Sequence, residues 1–371
     1  MPLTRVQHRA VIAFGRARAA EAMIAGLPAA ARAVREAALA GVRECWLDAG
    51  PGWIPSDMVR TEVDRLRGAM VVRFPGEVRG QPQSGPLLLV AGEMQPTARQ
   101  LAAAGEDDAQ GIAFVADAGD AGARTRLLHG SAAETRRRYA RLGRAILAAT
   151  TKPTDGLVSR HINRPLSQAI TRQLLRIPGF RPFHATLGTA ALAALMFAAL
   201  TMFGEPGLLV GALLFQAASM FDGVDGEAAR STFRASDRGA MFDSLVDALT
   251  NLFFVLGLVV NMHVRGHVEA ASFGVCGLLL LAAGLTIIGR RARANAGPFT
   301  FDGVKDRMRA RGTRLGQWLV WLTMRDFLAF ASVVLVLMGW AEPALMAFSG
   351  VMAGWLVVVI AIGARQSAAA R

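Results

Sequence analysis

Six apolar runs, each about as long as a bilayer core is thick, occupy the chain after residue 181. They cover roughly 184–203, 208–230, 239–262, 268–289, 325–340 and 343–363, the fifth being the shortest. Inside lipid every backbone N–H and C=O must be satisfied within the protein, so runs of this kind are restricted to helices. The reading is therefore an all-α six-helix transmembrane domain over 182–371. Loops 204–207 and 341–343 carry no positive charge, and the turn between the third and fourth runs carries only Arg265. On the opposite side lie Arg234 and Arg238, then Arg290, Arg291, Arg293, Lys305, Arg307, Arg309, Arg311 and Arg314. Positive charge accumulates in cytoplasmic loops, so both termini are expected in the cytoplasm of a multi-pass inner-membrane protein. The net charge of +13 would also suit nucleic acid, but with 53% apolar residues the membrane reading prevails and no nucleic-acid partner is expected.

Residues 1–150 have a different texture. Short apolar runs ("ECWLDAG", "GAMVVRF", "PLLLVAG", "GIAFVADAG") read as buried strands. Helical patterns ("LPAAARAVREAALAGV", "TARQLAAAG") fall between some of them, so an α/β layer with a largely parallel sheet is predicted, on the cytoplasmic side. Residues 151–181 form a juxtamembrane segment in which Ile162, Leu166, Ile170, Leu174 and Ile177 recur at helical spacing. Arg160, Arg164, Arg172 and Arg176 fall elsewhere on the wheel, as in a helix lying on the inner leaflet; a soluble helix packed on the N-terminal domain is the alternative. Cys45 and Cys276 are far apart and read as packing residues, not a disulfide or zinc pair. The first twenty residues lack a long apolar core and a cleavage site, so no signal peptide is expected.

The second and third apolar runs enclose an anomaly, "FQAASMFDGVDGEAARSTFRASDRGAMFDSLVDALTN". Asp222, Asp225 and Ala229 share one helical face, as do Gly239, Asp243 and Asp247 on the next helix. A short polar turn makes the two helices antiparallel neighbours, so the acidic faces can meet near their cytoplasmic ends. Four converging carboxylates repel unless a cation compensates them. Hard divalent ions with oxygen ligands do so, and two such ions, Mg2+ or Mn2+, suit phosphoryl transfer. Asp237 and Glu227 fit a solvated-loop reading instead.

The spacing D-x2-D-G-x2-A-R-x8-G-x3-D-x3-D resembles the signature of the CDP-alcohol phosphotransferase (CDP-alcohol phosphatidyltransferase) family at every position: Asp222, Asp225, Gly226, Ala229, Arg230, Gly239, Asp243 and Asp247. The resemblance implies a dimeric membrane enzyme that displaces CMP from a CDP-alcohol donor with an acceptor hydroxyl. By that resemblance Asp222, Asp225 and Asp243 hold the metals. Asp247 completes the site as general base. Gly226, Ala229 and Gly239 let the nucleotide approach the backbone, and Arg230 reaches its phosphates. At the start of the first span the family often has Pro-Asn-x-x-Thr; here Pro182, Phe183, His184, Ala185 and Thr186 stand there, leaving Thr186 to face the nucleotide.

"LFQAASMFDGVDGEAAR", "KPTDGLVSRHINRPLS" and "RDFLAF" resemble the di-myo-inositol-phosphate-phosphate synthase branch, which implies a CDP-inositol-type donor. That branch often carries an N-terminal cytidylyltransferase, and residues 1–150 look like a degenerate version of it. Gly15 matches one phosphate-loop glycine, but Ala17 stands where the next is needed, Gly26 replaces the lysine ahead of "LP", and Glu93 replaces an aspartate. Asp117 and Asp120 read as loop carboxylates. Arg160, Arg325 and Asp326 are the expected acceptor contacts, with Arg290 or Arg291 as partners; the acceptor is a polyol phosphate or a lipid. Two alternatives stay open: a bifunctional cytidylyltransferase and transferase, and a catalytically dead membrane scaffold.

Overall fold

The computed structural model describes residues 9–74, 87–104, 111–115, 121–128, 130–152, 155–294 and 325–369. It divides into two compact units, Met1–Ala149 and Thr150–Arg371.

In the first unit β1 (Arg9–Ala13) is the central strand of a five-stranded sheet. It is followed by α1 (Ala17–Glu21), the small hairpin β2 (Met23–Ile24) and β3 (Leu27–Pro28), and α2 (Ala29–Leu39). Then come β4 (Glu44–Asp48), α3 (Asp57–Leu66), β5 (Val71–Arg73), β6 (Leu87–Ala91), α4 (Ala98–Ala103), β7 (Ile112–Val115), α5 (Ala121–Leu127) and α6 (Ala132–Ala148). The order is β5-β4-β1-β6-β7, parallel except for the antiparallel pair β6–β7. Successive side chains of a strand point to opposite faces. Ala10, Ile12, Leu88 and Val90 accordingly join α2 and α3 in one core, while Val11, Ala13, Leu87 and Leu89 face a second. Every residue of β6 is buried, which is why "LLLVA" reads as a continuous apolar run without alternation.

In the second unit a π-helical turn, Ser159–Asn163, runs directly into α7 (Arg164–Leu174). The apolar helices follow: α8 (Pro182–Met202), α9 (Gly204–Ser231), α10 (Asp237–Val264), α11 (Val268–Ala294), α12 (Arg325–Leu337) and α13 (Ala341–Ala369). Four of these are long and apolar enough to cross a membrane: Pro182–Met202, Gly204–Ser231, Asp237–Val264 and Val268–Ile287. α12 has only 13 residues, and the apolar part of α13 is the shorter stretch Ala341–Val357.

α8 packs along both α9 and α10 through small residues. A Cβ at Gly211 or Gly257 would meet Leu200 at 2.4 or 2.7 Å, so these glycines set how closely the three helices approach. Phe215 and Phe254 stack with centroids 4.1 Å apart. The α8–α9 turn is locked from α10: the Asn261 amide donates to the carbonyls of Leu200 (2.7 Å) and Gly204 (2.6 Å), and Gly204 takes φ +54.

The juxtamembrane helix buries a polar stripe against the protein and leaves apolar residues outward. Asn163, Ser167 and Thr171, spaced i, i+4, i+8, face inward, while Leu166 is 47% and Ile177 54% exposed. Asp117, Asp120, Lys305, Arg307, Arg309, Arg311 and Arg314 lie outside the described residues, as do the side chains of Arg291 and Arg293.

Candidate functional site

α9 runs without a break through Asp222, Asp225, Gly226, Ala229 and Arg230 before ending at Ser231. The chain then reverses, and Ser236 caps α10 by accepting a hydrogen bond from the Gly239 amide at 3.2 Å. That tight reversal puts the first turns of α10 beside the last turns of α9. Asp222, Asp243 and Asp247 consequently each offer a carboxylate oxygen, all within 4.8 Å of one another.

Asp225, three residues after Asp222 on α9, is more buried, at 6% exposure. Its carboxylate accepts hydrogen bonds from the Thr186 hydroxyl of α8 (2.7 Å) and from the Gly226 amide. A buried carboxylate is tolerated only where donors or cations meet it, and Thr186 supplies one such donor.

The cation present among these acids is a side chain. Arg325, from the start of α12, holds Asp222 at 3.0 Å and also pairs with Asp247. Its neighbour Asp326 accepts from the Ser159 amide at 2.8 Å, joining α12 to the juxtamembrane turn on which Arg160 lies exposed. The donor set, carboxylate oxygens alone in a half-buried cup, fits hard divalent cations and does not fit soft ones.

Beside the cup, a Cβ at Gly226 would lie 2.9 Å from Arg230 Nη1, so the guanidinium rests over that glycine. Ala229 is half-buried and Gly239 exposed, with only Ser236 Oγ near its absent Cβ (3.1 Å). The lip of the cup is thus lined by residues with little or no side chain.

Glu227 corrects the sequence reading. Far from lying in a solvated loop, it is completely buried inside α9. It accepts from Ser167 Oγ (2.5 Å), Thr171 Oγ1 (2.7 Å) and Arg164 Nη1 (3.2 Å). Arg164 in turn holds Asp155 through two hydrogen bonds of 2.8 and 3.1 Å. Burial works against the Arg164 charge, but Asp155 and Glu227 outweigh it and raise its pKa above the ordinary arginine value.

In the first unit Glu93 is buried and accepts from the Gly15 amide (3.1 Å) and the Thr135 hydroxyl (2.8 Å).

Residues 184–298 match the family model for CDP-alcohol phosphatidyltransferase. Among curated proteins, the chain is similar to a bifunctional IPC transferase and DIPP synthase of Aquifex aeolicus, 37% identical over 32% of this chain and 28% of that protein. The protein of the same description from Rubrobacter xylanophilus is 38% identical over 37% of this chain and 30% of its own length. For that of Archaeoglobus fulgidus the figures are 29%, 40% and 29%. The chain thus matches less than a third of the length of each of these relatives.

Proposed function

Residues 184–298 form a CDP-alcohol phosphatidyltransferase domain, and from that premise we propose that the chain is an integral membrane transferase. It moves a phospho-alcohol group from a CDP-alcohol to an acceptor hydroxyl and releases CMP. The observation that carries this reading is the convergence of Asp222, Asp243 and Asp247 from two helices, with Asp225 beside them.

Asp222, Asp225 and Asp243 would hold two divalent ions, Mg2+ or Mn2+, with Asp247 completing the site. Such ions supply positive charge beside the donor's phosphates, where charge develops as the bond to CMP breaks. Asp247, paired with Arg325, takes the proton of the acceptor hydroxyl as its oxygen bonds to the distal phosphorus of the donor. The oxygen between the two phosphorus atoms leaves with CMP. Arg230 meets the nucleotide phosphates, and Gly226, Ala229, Gly239 and Thr186 shape the space the nucleotide enters. Arg325 and Arg160 bind an anionic acceptor, and Asp326 holds the α12 end that carries Arg325.

The domain is read as six spans in the inner membrane with cytoplasmic termini, working as a homodimer. The relatives' description as DIPP synthases supports an inositol-type substrate; a lipid acceptor is the other class to test. For the first unit we favour a nucleotidyltransferase-like domain that has lost activity, because the Gly15 amide, needed for phosphate, is taken by Glu93. The bifunctional alternative draws on the relatives' descriptions.

The test is CMP release from a panel of CDP-alcohols by the full chain in lipid nanodiscs with Mg2+ and polyol phosphate or lipid acceptors. Asp247→Asn should lower the rate by roughly 100-fold or more. An unchanged rate removes the enzyme reading in favour of a scaffold. Pyrophosphate release from CTP and inositol 1-phosphate by the same preparation would establish the bifunctional alternative.

A further inference from the structure

Glu227 and Arg230 stand three residues apart on α9, the spacing at which opposite charges on a helix pair. They do not pair. The Arg230 side chain makes no hydrogen bond or ion pair among the described residues, and its Nε is buried without a partner. The reason lies on α7. Arg164 and Ser167 both donate to Oε1 of Glu227 and Thr171 donates to Oε2, so both carboxylate oxygens are already engaged.

The docking is built into both helices. At 100° per residue, Glu227 lies roughly 160° around α9 from Asp225, so it points away from the acidic cup. Gly223, one turn before Glu227, shares its face. A Cβ there would meet Arg164 Nη1 and Ser167 Oγ, both at 3.1 Å, so the missing side chain admits α7. The Arg230 guanidinium lies over Gly226 at the lip of the cup, outside this hydrogen-bonded cluster.

We propose that α7 withholds Glu227 from Arg230, and that this keeps the Arg230 guanidinium available for the phosphate of the bound nucleotide. The inference rests on the reading of Arg230 as a nucleotide contact. It makes Arg164, Ser167, Thr171 and Glu227 positioning residues, acting on the ligand only through Arg230. With the donors removed, Glu227 becomes a carboxylate competing with the nucleotide phosphate for one guanidinium. Charge-assisted bonds of this kind are short and strong, so the competition is consequential in a partly desolvated site.

The probe is CMP, titrated calorimetrically with Mg2+ present into the full chain in nanodiscs. Wild type, Arg230→Ala, the pair Ser167→Ala/Thr171→Ala, Arg164→Gln, and each of the last two combined with Glu227→Gln are compared. Loss of the α7 donors is expected to weaken CMP binding roughly tenfold, the scale of one charged contact. Adding Glu227→Gln should return affinity to near the wild-type value, because an amide no longer competes for the guanidinium. A purely structural role predicts the opposite, since a further change in a buried network adds damage. Weakening without recovery, or no weakening, overturns the proposal while leaving the nucleotide site intact. Arg164→Gln strips a buried carboxylate of its cation and is the variant most exposed to misfolding; the Ser167/Thr171 pair keeps that charge and carries the test alone if needed. CMP binding that is absent in wild type, or unaffected by Arg230→Ala, instead overturns the nucleotide reading from which the proposal starts.

Discussion

Arg325 of α12 stands 3.0 Å from Asp222 of α9, and the same guanidinium also pairs with Asp247 of α10. One side chain thus ties three helices together at the point where their carboxylates crowd. It partly does by itself what a divalent ion would do, lowering the repulsion among acids held within 4.8 Å.

A thermal consequence follows. Arg325→Ala leaves the acids of the cup without their internal cation, so in EDTA its melting temperature should fall below that of wild type. Mg2+ should then raise the melting temperature of the variant by more than it raises that of wild type, since compensation comes from the ion alone. Scanning fluorimetry of both proteins with EDTA and with Mg2+ measures the difference. Equal responses to Mg2+ would mean that the ion and the guanidinium do not serve the same charges.

Thr186 tests the deeper acid. Its hydroxyl donates to Asp225 at 2.7 Å from a third helix, α8. Thr186→Val keeps the shape and removes the donor, leaving a buried carboxylate short of one partner, at a cost of about 1–3 kcal/mol. Thr186→Ser keeps the donor and should retain most of that stability. Denaturant titrations that place the two variants together would show that the hydroxyl does not matter to Asp225.

What could be read from sequence divides by range. β4, β5, β6 and β7 announce themselves as apolar runs, and Asp222, Asp225, Asp243 and Asp247 by helical spacing, because each pattern is local. The pairing of Glu227 with Ser167 and Thr171 spans 60 and 56 residues, and no local pattern encodes which stripe of α7 turns inward. Its apolar residues mark the side suited to a leaflet; the polar stripe opposite them meets a charged partner and is buried within the protein. Arg325 reads in the sequence as an acceptor contact at a helix start. That it enters the acidic cup depends on where α12 packs, 78 residues after Asp247. The run at 325–340 reads as a span by composition, yet its helix closes after 13 residues.

Cys45 supplies a pH dependence in the first unit. Burial is the main cause that pushes its thiol from 9.0 up to about 12. The folded state holds that proton more tightly than the unfolded chain, so its contribution to stability is full below pH 9.0 and is lost as pH rises toward 12. In a Cys276→Ser background, iodoacetamide at pH 8 should label Cys45 only once denaturant is added. Rapid labelling of the native protein would show that the thiol is accessible.

Gly226 separates folding from binding. In the interior of a helix, glycine to alanine normally stabilises by roughly 0.5–1 kcal/mol, and Gly226 lies within α9. The added Cβ would stand 2.9 Å from Arg230 Nη1, but that atom is the far end of a flexible side chain and can swing aside. Gly226→Ala should therefore keep or raise the melting temperature while weakening CMP binding, because the guanidinium is displaced and the nucleotide meets a methyl group at the lip. Calorimetry and thermal melts on one preparation supply both numbers. A variant that loses stability and binding together would point to a glycine required by packing, and one that loses neither would leave Arg230 without a fixed place over Gly226.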